Sequence, residues 1–304
     1  VAKQPSTANK IEIGIMQAQN GAVIVISSHV IRGAVGNRAA VFALENMGHP
    51  VWAFPTIVLP WHPGHGPSTR LHHPVADFES AIDDLIRAPW LGEVKAVLTG
   101  YFGNASQPAA VAKLITALKE KNPDLLYVCD PVIGDTGGLY VPQPVAEAIR
   151  SNLIPLADVI TPNRHELAWL SGEDVGTNAE IVAAVKKLGV GKALVTSAIP
   201  MMASAIGNLL VTEKRVLLAE HRLVANPPNG LGDLLSAVFL SRLLSGMDEE
   251  EALRLTTASI FEILSRTSAE GSDELQLHAC GRSLLSPVTG VQMRQLVHLV
   301  PRSA

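Results

Sequence analysis

The residues best equipped for chemistry are carboxylates set beside glycines. Gly230-Leu231-Gly232-Asp233 leads straight into an apolar helical run, LLSAVFLSRLL. Glycines let a backbone approach an anion closely. The N–H groups of a first helical turn then point at it, with the positive end of the helix dipole behind them. Asp233 sits where a carboxylate could take a proton from a substrate hydroxyl. Asp in a first turn is also ordinary helix chemistry, so this motif alone leaves both readings open. CDPVIGD, residues 129–135, brings Asp130 and Asp135 to the end of an apolar run. Carboxylates there could steer the waters of a Mg²⁺ ion around a nucleotide; a loop with turn-forming Asp and Gly explains them equally well. TPNRHE, residues 161–166, also follows a predicted strand end, where open α/β sheets bind ligands. Asn163 and Glu166 have the N-cap to N3 spacing of a capping pair as well.

Histidine and cysteine add two weaker signals. His62, His65, His72 and His73 fall in a stretch rich in Pro and Gly, residues 56–75, which reads as a long functional loop or flap. The spacing His62-x-x-His65 suits a transition metal, but no Cys or carboxylate ligand set accompanies it. Cys129 ends an apolar run and by type is a small core hydrophobe. As an accessible thiolate it could also act as a nucleophile towards a carbonyl group. Common nucleotide motifs are missing. The string from Gly189 to Ala193 has a Gly-Lys pair but neither the earlier Gly nor the Ser/Thr of a Walker loop. Gly33 and Gly36 alone do not make a dinucleotide fingerprint.

The elements that must hold these residues follow a regular alternation. Short β-branched runs at 22–27, 51–55, 96–99, 125–129, 158–161 and 193–196 are apolar on both faces, as strands inside a parallel sheet are. Between them, 38–47, 76–87, 108–121, 142–151 and 163–170 have the i, i+3, i+4 spacing of amphipathic helices. This predicts a doubly wound α/β sheet with crossover helices. Residues 203–224 read as a late hairpin turning near Glu213 and Lys214, followed by helices at about 232–244 and 249–265. Residues 1–21 read as an extension before the fold, and 22–304 as one domain.

Composition narrows the function classes. A chain of 304 residues, 47% hydrophobic and 17% charged, folds around a core and is neither disordered nor fibrous. Its 24 basic and 28 acidic residues leave a net charge of −4 with no basic run, which disfavours nucleic acid as a partner. No stretch reaches the roughly 18 apolar residues of a membrane span. Two cysteines, Cys129 and Cys280, suit a reducing compartment rather than a disulfide framework.

Taken together the motifs resemble the ribokinase superfamily and, within it, the pyridoxal kinases. The specific segment is SHVIRGAVGNRAA, residues 28–40, directly after the first strand. Thr56 with His62, Gly100-Tyr101, CDPVIGD, ITPNRHE, Val195-Thr196-Ser197 and the Gly-Leu-Gly-Asp element follow in the family's order, from residue 22 to about 265. The resemblance implies a ribokinase-like α/β fold, a mainly parallel central sheet flanked by helices on both faces. It implies transfer of the γ-phosphoryl group of MgATP to the 5′-hydroxymethyl group of pyridoxal, pyridoxine or pyridoxamine, in vitamin B6 salvage. Asp233 then matches the catalytic base, and the backbone of Gly230, Leu231 and Gly232 the anion hole. Ser28, Val35, Thr56, His62, Pro63, Gly64 and Tyr101 match the substrate pocket, with Cys129 and Asp233 beside it. Asp130, Asp135, Thr161, Asn163, Glu166, Thr196 and Ser197 match the nucleotide side, and His221, Arg222, Leu223 and Val224 part of the adenine lid. Asp130 and Glu166 match the positions that hold Mg²⁺ through water. A K⁺ ion, a homodimer and a cytoplasmic location are implied as well. Ala34, Leu231 and a short segment before Gly230 depart from the usual pattern. They keep two alternatives in view: a kinase for hydroxymethylpyrimidine or a related heterocycle, and a vitamer-binding protein without catalysis.

Overall fold

The computed structural model describes residues 21–299, and the reading of 1–21 as an extension lies, but for Gly21, outside them. Twelve strands are present among the described residues: β1 (Ala22–Val30), β2 (Val51–Leu59), β3 (Leu71–His72), β4 (Val94–Thr99), β5 (Leu126–Cys129), β6 (Gly134–Asp135), β7 (Gly138–Leu139), β8 (Val159–Ile160), β9 (Lys192–Ala198), β10 (Ala205–Thr212), β11 (Val216–Arg222) and β12 (Gln292–Gln295). The helices are α1 (Asn37–Asn46), α2 (Val75–Arg87), α3 (Gln107–Lys121), α4 (Gln143–Asn152), α5 (Arg164–Ser171), α6 (Asn178–Leu188), α7 (Leu231–Leu244), α8 (Glu249–Ala269) and α9 (Gly281–Leu285).

Ten strands form one sheet in the order β12-β11-β10-β9-β8-β5-β4-β1-β2-β3. The six from β9 to β2 run parallel. The hairpin β10–β11 and the short strands β12 and β3 add antiparallel edges. This is the mainly parallel sheet that the alternation predicts. The reason is visible in the side chains. Ile24 and Ile26 of β1 pack into one apolar layer, with Val97 of β4, Tyr127 of β5 and the buried faces of α3 to α6. Val23 and Val25 point the other way, into a layer with Leu98, Val128, α1, α7 and α8. Strands buried on both faces need helices on both faces.

Three differences from the sequence reading have physical causes. β2 continues past Pro55 to Leu59, so the first part of the 56–75 stretch is strand rather than loop. A register shift between Ser27 and His29 lets β1 accommodate it. α6 was not expected, although Thr177 and Glu180 form a complete capping box at its start. The chain after α8 adds α9 and β12, the latter pairing with β11.

α7 is buried continuously from Leu234 to Arg242, so it runs through the core rather than over it. Its N-terminus emerges at the edge of the sheet where β1, β4, β5 and β8 end. That geometry fixes the location of the site.

Candidate active site

Asp233 occupies the first turn of α7, whose N-cap is Gly230. Gly230 has φ +94°, and a Cβ there would lie 2.0 Å from the carbonyl oxygen of Ala34. Only glycine allows this close approach between the helix start and the 28–40 segment. No side chain caps this terminus, so the N–H groups of Leu231 and Gly232 face outward with the dipole behind them. The Asp233 carboxylate accepts from the backbone N–H of Gly36, and burial pushes its pKa up to about 6.

Asp130 faces Asp233. The two line one small cavity of about 10 Å³, with Ser27, Thr99, Gly100 and Ser236, enough for roughly one water. Ser236 Oγ lies 3.0 Å from Asp130 Oδ2 and 2.8 Å from Thr161 Oγ1. Burial, and then the charges of Glu166 and Asp233, push the Asp130 carboxyl well above its ordinary range. Glu166 is buried too and is pushed up to about 8 by burial, although the N–H groups of Asn163, Ile133 and Gly134 all donate to it. Asn163 accepts in turn from His165 and Glu166 N–H, so the capping box read from the sequence is real. Asn163 also donates from Nδ2 to the Gly134 carbonyl at 2.8 Å, which ties TPNRHE to the CDPVIGD loop. Asp135 is exposed at the β6–β7 turn and accepts from Gly137 N.

Several buried carboxylates at one strand edge repel one another, and a divalent cation would relieve that repulsion. Among the described residues no group of three His, Cys, Asp or Glu forms a direct metal cage. The donor set therefore fits a hydrated ion such as Mg²⁺, which keeps several waters, better than a fully caged one.

The residues expected to form a substrate pocket lie on β1 and β2 and in the loops beside them. Ser28 and Thr56 are buried, and Val35 packs with Val30, Ile57 and Leu59 beside half-buried Tyr101. The Thr56 hydroxyl donates to the Tyr101 carbonyl at 2.7 Å, and Tyr101 N–H donates to Ser27 Oγ at 3.1 Å. His62 caps the short turn Pro63–His65 by accepting from Gly64 N–H at 3.0 Å. Of the residues expected to meet a nucleotide, Asn163 forms a backbone bridge to Thr196 of β9. Ser197 has φ +56°, a left-handed conformation uncommon for a non-glycine residue.

Two expectations are corrected. Cys129 does not reach the pocket. It is fully buried in the apolar layer with Tyr127, and burial pushes its thiol up to about 12. An inaccessible thiol has no route to a substrate aldehyde. His221 is turned inward as well: its ring is buried and stacks on Phe261 of α8 at 4.5 Å, and Nδ1 sits 2.9 Å from the Arg222 carbonyl. Arg222 and Leu223 are exposed, with Val224 partly so. Sequence reasoning also missed Ser236, although it lies one helical turn after Asp233, and Gly36, whose amide holds the Asp233 carboxylate.

Residues 78–277 match the family model described as phosphomethylpyrimidine kinase. The pyridoxal kinase PdxY of Rubrobacter xylanophilus is 36% identical over 281 residues, covering 90% of this chain and 97% of that protein. The chain belongs to the pyridoxal kinase family. Two solved pyridoxal kinases share its fold closely. That of Leishmania donovani, in complex with ADP and pyridoxamine, superposes with a TM-score of 0.85 at 26% identity, covering 91% of this chain and all of that one. That of Entamoeba histolytica gives 0.84 at 25%, with the same coverage. The ribokinase-like architecture expected of a pyridoxal kinase is thus present across nearly all of the described chain.

Proposed function

We propose that this chain phosphorylates the 5′-hydroxymethyl group of pyridoxal, and of related vitamers, with the γ-phosphoryl group of MgATP. The observation that carries the reading is Asp233. One carboxylate, raised to a pKa of about 6, stands at an uncapped helix N-terminus and shares a cavity with Asp130. Asp233 takes the proton of the attacking hydroxyl. The N–H groups of Gly230, Leu231 and Gly232 face the charge that develops on the transferring phosphoryl group, so the chemistry is mostly positioning and electrostatics. Asp130 and Glu166 would hold Mg²⁺ through water, and the ion would neutralise phosphate charge there. Ser28, Val35, Thr56, the 62–64 turn and Tyr101 enclose the pyridine ring. Asp135, Thr161, Asn163, Thr196, Ser197 and residues 222–224 border the nucleotide. The names and ligands of the relatives support the substrate pair. A K⁺ ion, a homodimer and a cytoplasmic setting belong to the same reading and rest on family resemblance; among the described residues no helix is long and apolar enough to cross a membrane.

The test is ADP release with MgATP and K⁺, offering pyridoxal, pyridoxine, pyridoxamine and hydroxymethylpyrimidine separately. The matching family model's own description makes the pyrimidine an essential arm. Turnover with pyridoxal that Asp233→Asn lowers about 10²–10⁴-fold, with the fold intact, is the expected result. Turnover confined to the pyrimidine would move the reading to that substrate, and tight pyridoxal binding without turnover would make the chain a binding protein.

A further inference from the structure

The short turn Pro63–His65 has an internally bonded shape. His65 N–H donates to the His62 carbonyl, Gly66 N–H to that of Pro63, and Trp61 Nε1 to the Gly66 carbonyl at 3.2 Å. None of these bonds says where the turn sits relative to the rest of the pocket. A side chain far along the chain does. His65 Nε2 lies 2.8 Å from Oε1 of Glu274, in the loop after α8. The other oxygen of Glu274 accepts from the Ala34 N–H at 3.2 Å, inside the 28–40 segment. Arg32 of the same segment approaches Oε1 at 3.5 Å and holds Asp273 with two hydrogen bonds of 2.8 Å. Gly33 closes over the carboxylate: a Cβ there would meet Glu274 Oε1 at 2.7 Å.

The anchor itself is braced. Glu274 N–H donates to Ser272 Oγ, the Ser272 hydroxyl donates to the Glu274 carbonyl, and Gln276 N–H donates to Thr267 Oγ1 of α8. Glu274 is buried, which strengthens its charge-assisted bonds over exposed ones. From Ala34 the connection continues to the chemistry. The Ala34 carbonyl packs on Gly230, and Gly36 N–H holds Asp233.

We propose that Glu274 is a positioning residue that latches the 62–66 turn, through His65, to the 32–36 segment, and so sets how tightly the pocket between them holds its substrate. The proposal rests on the pyridoxal kinase reading for the identity of that substrate. The latch needs only a proton on Nε2 of His65, whichever charge the ring carries. Arg32, Asp273 and His62 are the other titratable groups around it.

The test compares the full chain with His65→Ala, His65→Gln, Glu274→Ala and the double variant His65→Ala/Glu274→Ala. Initial rates with pyridoxal and MgATP are measured alongside amide hydrogen exchange over residues 57–70. His65→Ala raises KM for pyridoxal about five- to fiftyfold, the range of one lost charge-assisted bond, while kcat and KM for ATP change little. Such a split marks lost binding rather than lost chemistry. His65→Gln, which can still donate to Glu274, recovers part of the affinity. The double variant is no worse than Glu274→Ala alone, because the two side chains act as one unit. Exchange over 57–70 speeds up in all three alanine variants. Unchanged KM together with unchanged exchange in His65→Ala overturns the latch, as does an equal fall in kcat. A wild-type chain silent towards pyridoxal would sink the functional reading instead. The exchange data would then still decide whether Glu274 holds the turn.

Discussion

Asp233 must be ionised to act as a base, and its pKa is raised to about 6 by burial. The pH profile of kcat/KM for pyridoxal should therefore fall on the acid side with a limb near pH 6, about tenfold per unit below it. Asp233→Asn should erase that limb along with most of the rate. A limb near pH 4 would mean that the base is solvated in the working enzyme. Glu166, raised to about 8, makes a second claim, about stability. A carboxyl whose folded pKa exceeds its unfolded one favours folding fully below the unfolded value of roughly 4.5 and loses that contribution as pH rises through the folded value. The metal-free protein should thus lose Tm between about pH 5 and pH 8, and Glu166→Gln should flatten the slope. Mg²⁺, binding the ionised form, should raise Tm more at pH 8.5 than at pH 5.5. Calorimetry with and without the ion checks both, and a Mg²⁺ effect independent of pH would place the ion elsewhere. At this scale the sequence was informative about identity but silent on environment. Asp130, Glu166 and Asp233 could be named from strand-end and helix-start motifs. That Asp130 and Glu166 are buried next to a half-buried Asp233 could not, because this depends on α7 running through the core. Cys129 shows the same gap: its position was readable, the direction of its side chain was not.

The start of α7 shows how one element separates folding from catalysis. Gly230 meets the Ala34 carbonyl at a distance no side chain tolerates, whereas a Cβ at Gly232 would meet nothing within 4 Å. Gly230→Ala should cost roughly 1–3 kcal/mol from backbone strain alone, with further loss from the contact, and lower Tm. Gly232→Ala should leave Tm within a degree or two. It should still slow phosphoryl transfer, because the methyl group stands where an anion must approach the amides. Thermal melts with rates on the same two proteins separate the effects, and equal losses of Tm would refute the distinction. Most elements were legible from periodicity: the strand runs alternate with helical spacing as the sheet requires. The exceptions are instructive. Pro55 makes β2 look finished, yet the register shift opposite it lets the strand continue. β12 reads Gln-Met-Arg-Gln with no apolar pattern, and it is held instead by Arg294 donating to buried Glu220 at 2.7 Å.

At the scale of the molecule, the ten-stranded sheet collects motifs more than a hundred residues apart along one edge. A reading of strand ends could find that edge, since ligands in open α/β sheets gather there. It could not find Glu274, whose partners Arg32 and His65 are more than two hundred positions away and share no spacing with it. The same sheet settles the fate of both sulfur atoms. Cys129 lies in one apolar layer and Cys280 in the other, each fully shielded. Burial raises the pKa of both thiols, and it is the thiolate that alkylating and oxidising reagents attack. The native protein should therefore titrate with no more than a trace of Ellman-reactive sulfur and yield two equivalents in denaturant; one fast equivalent in the native state would contradict the burial of one of them. An enzyme built this way needs no reductant on the bench, and a covalent inhibitor aimed at a cysteine would find nothing on its surface to react with.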